Sequence, residues 1–419
     1  MDVTNQNKPM KTKVNQSIST VLGMAMVVTT QLASAQTWQT VYAYQYVTGK
    51  TTAFSAMAAD SGGNLYVAGY GIDASILDHG VVLGSSDHGA TWVQLDDLFY
   101  ASPTNQFSEA HNGRFCAIGV DPAQNIYAVA AYPTSAAPYT RHLTVRKSAD
   151  LGATWSTALD LPYTYGFVTY SSPGFAADRA GRIYVAIDTG TPGPLVAKSA
   201  NAGATWTTVN PLGTKANLNG IVSTAAGVFV CGSDDGPGGY ISPNLWGMVR
   251  KSVDGGASWQ TVDSFNPTGY NGTGYATAIC ADPSGNIYVA GTAQITTGKG
   301  RSAVTSVYYV VRRGTNGGTK WQTITLLPIP SAFTLVNIAL GVDLAGNLYA
   351  SGQFGPASNG SGAWETLKST DGGANWNVVD PDGVGGFACD PSGTVYAVGS
   401  GSSDTGPGTF GIVRKQVTQ

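Results

Sequence analysis

The chain is poor in glutamate and in charge of either sign. Of its 25 acidic residues only Glu109 and Glu365 are glutamate, and charged residues make up 11% of the 419 positions. Glutamate favours helices, whereas aspartate and glycine favour turns, and 55 residues are glycine. This composition argues against a helical or α/β protein. The net charge of −3, without runs of Lys or Arg, argues against a nucleic-acid partner.

Long apolar runs are also missing, so the sequence predicts no membrane span. Residues 1–35 have the order of a secretory signal peptide, in which lysines precede a modest apolar stretch and the small-residue site Ala33-Ser34-Ala35. We therefore expect cleavage before Gln36. The expected product is a secreted or periplasmic monomer made of residues 36–419.

Cysteine is scarce, with four residues in the chain. An even number in an exported protein permits disulfides. Each cysteine nevertheless lies in an apolar, strand-like segment without paired spacing, which favours buried free thiols. These residues are Cys116, Cys231, Cys280 and Cys389. The sequence shows no metal-binding cluster and no cofactor motif.

Two motifs alternate along the chain at intervals of roughly 55 residues, which is the first sign of a repeat architecture. The first is Ser-x-Asp-x-Gly-x-x-Trp, and Trp38 matches only its last position. Its acidic position is occupied in turn by Asp87, Asp150, Asn201, Asp254, Asn316 and Asp371. The second is Asp-x-x-Gly-Asn-φ-Tyr-φ-Ala, where φ is apolar, and a seventh copy at 224–229 lacks the aspartate. Its aspartates are Asp60, Asp121, Asp178, Asp282, Asp343 and Asp390.

Each repeat unit reads as strand A, the Asp-x-x-Gly turn, strand B, a variable loop, strand C, the Ser-x-Asp hairpin and strand D. Four antiparallel strands per unit predict an all-β fold, a single seven-bladed β-propeller. The segment 38–41 is a strand D without a preceding A, B or C, and the C-terminus supplies A, B and C without D. We expect the N-terminal strand to complete the last blade and so remove the free sheet edges.

The recurrent aspartates are predicted to be structural. A carboxylate in the Ser-x-Asp hairpin can accept backbone N–H bonds, the glycine permits positive φ, and the tryptophan can pack where blades meet. A single active site would break the symmetry of the repeat, whereas these residues follow it.

The Ser-x-Asp-x-Gly-x-x-Trp motif resembles the Asp-box, or bacterial neuraminidase repeat. Asp-boxes occur in sialidases, xyloglucan-active glycosidases, sortilin-type receptors and photosystem II assembly factors, and the resemblance implies a propeller in which the boxes are structural. Sialidases also use three substrate-clamping arginines, a Tyr/Glu nucleophile pair, an Asp acid/base and an Arg-Ile-Pro motif. This chain has no such tripeptide. Four of its arginines recur instead in strand C, on the outer sheet: Arg146, Arg250, Arg312 and Arg414. Sialidase activity is therefore not predicted.

The loops between strands B and C and the crossings from strand D to the next strand A are long and irregular, and a rigid scaffold commonly presents binding residues on such loops. They contain aromatic residues such as Tyr44, Tyr46, Tyr70 and Phe99 among many neutral polar residues, which suits carbohydrate or another polar ligand. The same rings could simply pack the loops down. The predicted ligand-binding residues are Glu109, His111, Arg114, Tyr240, Trp246 and Trp364.

Two other functions remain open from the sequence. A glycoside hydrolase would need Glu109 and a second carboxylate, with Asp97 and Asp160 as the main candidates and Asp73 and Asp78 as further ones. Against that, Glu109 could merely pair with a neighbouring arginine to hold its loop. A protein-binding scaffold would instead present a broad surface without a pocket.

Overall fold

The computed structural model describes residues 37–99, 113–133, 140–164, 173–189, 193–211, 216–234, 246–265, 274–297, 302–329, 338–355, 363–380, 382–402 and 409–417. The predicted signal peptide lies outside the described residues. Within them, no helix is long and apolar enough to cross a membrane.

The described strands form seven four-stranded antiparallel sheets, which are the blades. Blade 1 comprises β2 (Thr52–Ala59), β3 (Leu65–Ile72), β4 (Asp78–Ser85) and β5 (Val93–Leu98). Blade 2 comprises β6 (Phe115–Val120), β7 (Ile126–Pro133), β8 (Thr140–Ser148) and β9 (Ser156–Thr164). Blade 3 comprises β10 (Gly174–Ala177), β11 (Ile183–Ile187), β12 (Leu195–Ser199) and β13 (Thr207–Val209). Blade 4 comprises β14 (Ala216–Thr224), β15 (Gly227–Asp234), β16 (Trp246–Ser252) and β17 (Gln260–Phe265).

Blade 5 comprises β18 (Gly274–Ala281), β19 (Ile287–Thr297), β20 (Val304–Thr315) and β21 (Lys320–Ile329). Blade 6 comprises β22 (Ala339–Val342), β23 (Leu348–Gly355), β24 (Ala363–Ser369) and β25 (Asn377–Asp380). Blade 7 comprises β26 (Gly386–Cys389), β27 (Val395–Ser402), β28 (Thr409–Val417) and the N-terminal strand β1 (Thr37–Tyr44). The prediction of a seven-bladed propeller is confirmed.

Burial explains the apolar runs of the middle strands. Strand A is innermost, since each strand A contacts the strand A of a neighbouring blade. Strands B and C lie between two neighbouring sheets, so both faces of β11, for example, are buried. Strand D is outermost, and the exposed positions of β5 and β17 reflect this. The core therefore consists of apolar layers between successive blades, as between blades 3 and 4.

The ring closes through its two chain ends, as predicted. Strand β1 pairs antiparallel with β28, with Trp38 opposite Gln416. The Trp38 ring is buried and meets Tyr349 of blade 6 edge-on, with the ring centroids 6.2 Å apart. The first described strand is therefore strand D of the last blade.

An aspartate organises the turn between strands A and B in every blade except blade 4, which has Thr224 there. In blade 1, Oδ1 of Asp60 accepts the N–H groups of Gly62 and Asn64 at 2.8 and 2.9 Å. Its Oδ2 accepts the Asn64 side chain at 2.6 Å and the Tyr66 hydroxyl at 3.2 Å. Five other blades repeat the tyrosine-to-aspartate bond. Buried carboxylates need such partners, which explains why tyrosine recurs in this motif.

The hairpin between strands C and D is organised by a second, exposed carboxylate. Ser85 Oγ donates to Asp87 and accepts the N–H of Gly89, both at 2.8 Å. Asp87 also accepts the N–H of Thr91 at 2.8 Å and its hydroxyl at 2.6 Å. Gly89 has a φ of +84°, and its carbonyl accepts the Trp92 indole N–H at 3.1 Å.

The same hairpin recurs around Asp150, Asn201, Asp254 and Asp371. The copy at Asn316 keeps the positive φ and the indole-to-carbonyl bond of Trp321. The indole of Trp206 also donates to the Ala158 carbonyl of the preceding blade, at 2.9 Å. These six positions therefore lie in hairpin turns, and the tryptophans contact the neighbouring blade.

Arginines of strand C link successive blades. Arg146 of blade 2 donates to both oxygens of the buried Asp96 of blade 1, at 2.9 and 2.8 Å. Arg312 makes the same two-pronged contact with Asp263 of blade 4, at 2.5 and 2.6 Å. Arg414 pairs with Asp380 of blade 6 at 2.8 Å. Together with Arg250, which donates to the Pro211 carbonyl, these contacts account for the four arginines that recur at one position of strand C.

All four cysteines are free thiols. They lie in strand A or B of four different blades, in β6, β15, β18 and β26. Burial raises the pKa of the Cys116 thiol to about 11, which keeps the thiol protonated.

We expect the free energy of unfolding to fall as the pH drops from about 4 to about 2. Hydrogen bonds from Thr91 and Ser85 lower the pKa of Asp87 to about 2, and Asp150 behaves alike. Because the folded pKa lies below the unfolded value of 3.8, the stabilisation is present above that value and is lost as the carboxylates protonate. Urea unfolding followed by tryptophan fluorescence between pH 2 and 6 measures this dependence.

Two isosteric variants make the test specific. Asp87→Asn gives the blade 1 hairpin the amide that blade 3 has naturally at Asn201, and should flatten the acid dependence of the free energy of unfolding. Asn201→Asp should steepen that dependence. Identical pH profiles for both variants would contradict the assignment.

Removing one partner of an inter-blade ion pair should lower the free energy of unfolding. Asp96→Ala removes the carboxylate that compensates the charge of the Arg146 guanidinium between two blades, and we expect a loss of about 3 kcal/mol in the free energy of unfolding. The control is Asp382→Ala, which removes a carboxylate that also pairs with an arginine but is 59% exposed. Its expected loss is below about 1 kcal/mol. Equal losses in urea titrations at pH 7 would show that the buried pair has no special role.

Candidate functional site

The antiparallel order of the strands gives the propeller two different faces. The turn face carries the A–B turns and the C–D hairpins, and the loop face carries the B–C loops and the D–A crossings. On the described part of the loop face, polar and aromatic side chains converge at blade 1. We call Tyr46, Asp73, His79, Asp97 and Phe99 the blade 1 cluster.

His79 is the centre of this cluster. Its Nδ1 lies 2.8 Å from Asp97 Oδ1 and 3.0 Å from the Tyr46 hydroxyl. The Tyr46 hydroxyl also donates to Asp97 Oδ2 at 2.8 Å. On the other side of the ring, Asp73 Oδ2 lies 3.6 Å from Nε2. One imidazole is thus flanked by two carboxylates.

Two aromatic rings enclose the imidazole. Tyr46 and Phe99 stack on His79 with centroid distances of 4.8 and 4.7 Å and interplanar angles of 28° and 21°. Phe99 remains 42% exposed, so the cluster presents an apolar ring at the surface. Burial, followed by the hydrogen bond to Asp97, raises the pKa of Tyr46, which keeps the phenol protonated as a donor.

The local sequence explains how Tyr46 reaches this position. Tyr46 follows β1 in the crossing from blade 7 to blade 1, and Gly71 lies opposite His79 in the pairing of β3 with β4. A Cβ atom on Gly71 would lie 2.2 Å from Tyr46 Cβ. Only glycine at position 71 therefore leaves room for the ring.

Asp160, the other predicted carboxylate in strand D, takes the same position in blade 2. Its Oδ1 lies 2.6 Å from Nδ1 of His142, and Tyr132 stacks on that imidazole at 5.6 Å. The structure therefore brings Asp97 and Asp160 each to a histidine rather than to one another.

Arg114 lies where blades 1 and 2 meet. Its Nε donates to the buried Asp78 at 2.7 Å, and its guanidinium lies 3.6 Å above the centre of the Tyr70 ring. The guanidinium charge is thus compensated by a carboxylate of blade 1, next to His79 in the sequence.

The other predicted ligand-binding residues are less informative. Trp364 is 37% exposed and covers Gly383, where an added Cβ would lie 2.4 Å from its ring. Trp246 begins β16, but its side chain lies outside the described residues. Glu109, His111 and Tyr240 also lie outside them.

His79 and His142 were not among the site residues predicted from the sequence. A signal was nevertheless available, because the aspartate follows the histidine by 18 positions in both blades. Aligning the repeats on their hairpins would have placed both pairs at one position of the blade.

A shallow cavity of about 240 Å³ lies on the opposite, turn face, lined by the A–B turns of blades 1 to 3. Its carboxylates, Asp60, Asp121 and Asp178, already accept backbone N–H groups and tyrosine hydroxyls of their own turns. They are committed to the fold, so this cavity offers little polar chemistry for a ligand. Among the described residues, no group of three His, Cys, Asp or Glu side chains could hold a metal ion.

Two solved structures with TM-scores above 0.5 support the fold. An α-L-arabinofuranosidase of Fusarium graminearum in complex with arabinobiose superposes with a TM-score of 0.52 at 11% identity, over 91% of this chain and 98% of that chain. An α-L-arabinofuranosidase of the same organism in complex with an iminosugar inhibitor superposes with a TM-score of 0.51 at 10% identity, over 92% of this chain and 98% of that chain. A protein of unknown function from Dyadobacter fermentans has a TM-score of 0.46 at 14% identity, over 91% of this chain and 99% of that chain.

At these identities the likeness shows the fold alone. The chain shares a propeller architecture with glycoside hydrolases. No protein-family model matches it, and no curated protein is significantly similar to it in sequence.

Gly71→Ala tests the geometry of the blade 1 cluster. The added methyl group should displace Tyr46, so the NMR signals of the His79 ring protons should lose the ring-current shift of the stacked phenol. The control is Gly401→Ala, at the same strand position in blade 7, where the added Cβ would lie 3.2 Å from the Ile412 side chain. His79 signals that stay unchanged in Gly71→Ala would contradict the stacked arrangement.

Proposed function

We propose that this protein binds a carbohydrate on its loop face, with the blade 1 cluster as part of the binding surface. The observation that carries the proposal is the exposed Phe99 ring beside the His79 imidazole and two carboxylates. An aromatic face suits the apolar face of a sugar ring, and carboxylate and imidazole atoms suit its hydroxyl groups. Sites that combine apolar rings with a few oriented polar groups are typical of ligand binding.

The proposed family and cellular location fit this function. The hydrogen bonds of the Ser-x-Asp hairpins are those expected for an Asp-box propeller, and we propose that the chain is one. The order of residues 1–35 supports export, so the site would meet extracellular or periplasmic glycans. The protein would act as a monomer, since one propeller presents the whole loop face.

Glycoside hydrolysis is the second candidate. Asp73 and Asp97 lie on the loop face on either side of the His79 ring, and glycosidases use a pair of carboxyl groups. Because the ring occupies the space between these two groups, the scissile bond would lie beside the cluster. Hydrolysis would require one of these groups to be protonated and the other ionised. A protein-binding scaffold has no such specific observation in its favour.

A glycan and polysaccharide array with the purified protein tests the binding function. We expect selective binding to one class of polysaccharide, weakened about tenfold in Kd by Phe99→Ala through the loss of ring stacking. Leu151→Ala is the control, because Leu151 is also an exposed apolar residue but lies in a hairpin on the turn face. A blank array, or equal losses in the two variants, would contradict the proposal.

The same glycan separates binding from hydrolysis. Release of new reducing ends that Asp97→Asn and Asp73→Asn each abolish would identify a glycosidase. Tight binding without release would identify a lectin-like function.

A further inference from the structure

The loop face carries one feature twice. His79 with Asp97, and His142 with Asp160, occupy the same place in blades 1 and 2, with histidine in strand C and aspartate in strand D. The pairing registers agree, since Asp97 lies opposite Val81 and Asp160 lies opposite Thr144. We call these pairs the blade 1 and blade 2 dyads.

Other described blades do not repeat the dyad. At the position of strand C that holds histidine in blades 1 and 2, blades 3 to 7 have other residues. These are Gly193, Trp246, Tyr308, Ala363 and Phe410. A residue needed for the scaffold would recur in most blades, as the turn aspartates do. The dyads are therefore a local feature of two adjacent blades.

Each imidazole also has an aromatic ring on its inner side, supplied in two different ways. In blade 2, Tyr132 lies directly across the strand pair from His142 and stacks on it. In blade 1 the equivalent position is Gly71, and Tyr46 enters from the neighbouring crossing to stack on His79. Two separate chain segments thus give the same arrangement of ring, imidazole and carboxylate.

The dyads carry no net positive charge, because a histidine–aspartate pair has a net charge of zero when the imidazole is protonated and of −1 when it is neutral. In each dyad Nδ1 lies against the aspartate, so Nε2 is the ring nitrogen on the other side, where in blade 1 it lies 3.6 Å from Asp73. Among the described residues, Nε2 of His142 has no hydrogen-bond partner. Between the dyads, Arg114 is already paired with Asp78. Because neither dyad carries a net positive charge and Arg114 is already paired, the dyads offer an anionic ligand little attraction.

We infer that the two dyads are neighbouring subsites for a linear, uncharged oligosaccharide, each binding the hydroxyl groups of one sugar. This inference rests on the proposed carbohydrate-binding function and adds the ligand class and its path across blades 1 and 2. A polymer of repeated sugar units matches a repeated subsite, because the same group recurs along both.

Isothermal titration calorimetry with defined oligosaccharides tests the inference. The probes are neutral xylo-, gluco- and arabino-oligosaccharides of one to six sugars, with oligogalacturonates as the anionic counterpart. We expect affinity to rise with chain length and neutral chains to bind more tightly than oligogalacturonates. His79→Gln and His142→Gln should each weaken binding of the longest ligand about tenfold, and the double variant about a hundredfold.

His88→Gln is the matched control. His88 also lies near an aspartate, with Nδ1 3.5 Å from Asp390, but it is 57% exposed on the turn face. Its affinity should equal that of the wild type. Thermal unfolding of all variants confirms that they fold.

The outcomes separate the inference from the proposed function. Glycan binding that His142→Gln leaves unchanged, or that favours oligogalacturonates, would overturn the inference and leave carbohydrate binding intact. Absence of binding to every glycan would overturn both.

Discussion

The structure depends on the closure of its ring. Each blade has two apolar faces that a neighbouring blade must cover, so an open row of seven blades would expose both ends. Pairing of β1 with β28 joins the chain ends within one sheet and removes the open edge. Trp38 adds a buried ring against blade 6 at that joint. The remaining features either reinforce this closure or use the surface that it leaves free.

Reinforcement comes from polar groups that repeat with the blades. In every blade except blade 4 the aspartate of the A–B turn accepts hydrogen bonds from its own turn. Arg146, Arg312 and Arg414 of strand C reach aspartates of the preceding blade. Such contacts fix the orientation of one sheet on the next, which apolar packing alone leaves adjustable. Their commitment to the fold also explains why the turn face, although it carries many carboxylates, is a poor site for catalysis or binding.

Much of the fold could be predicted because it is periodic. The Ser-x-Asp and Asp-x-x-Gly motifs mark the turns directly, and their alternation implies the number of strands and the strand that closes the ring. The tyrosine of the second motif was harder to interpret. Its hydroxyl bonds to a carboxylate six residues earlier in the chain, and such a contact becomes visible only when the turn has its shape.

The candidate site was predicted less completely, for a physical reason. Asp97 and Asp160 could be proposed as acidic residues on the correct face, but their partners come from another strand of the same blade. Tyr46 comes from the previous blade altogether, and its place depends on a glycine at position 71. Contacts of this kind depend on how loops pack on the scaffold. Arg114 illustrates the same point, because its partner proved to be Asp78 of blade 1.

The central claim is that the loop face of blades 1 and 2 is the binding surface of this propeller. A crystal structure of the protein soaked with the neutral oligosaccharide that binds most tightly tests it most directly. We expect sugar density against Phe99 and His79 that continues towards His142. Density confined to the turn-face cavity beside Asp60, Asp121 and Asp178, or to the central channel, would contradict it.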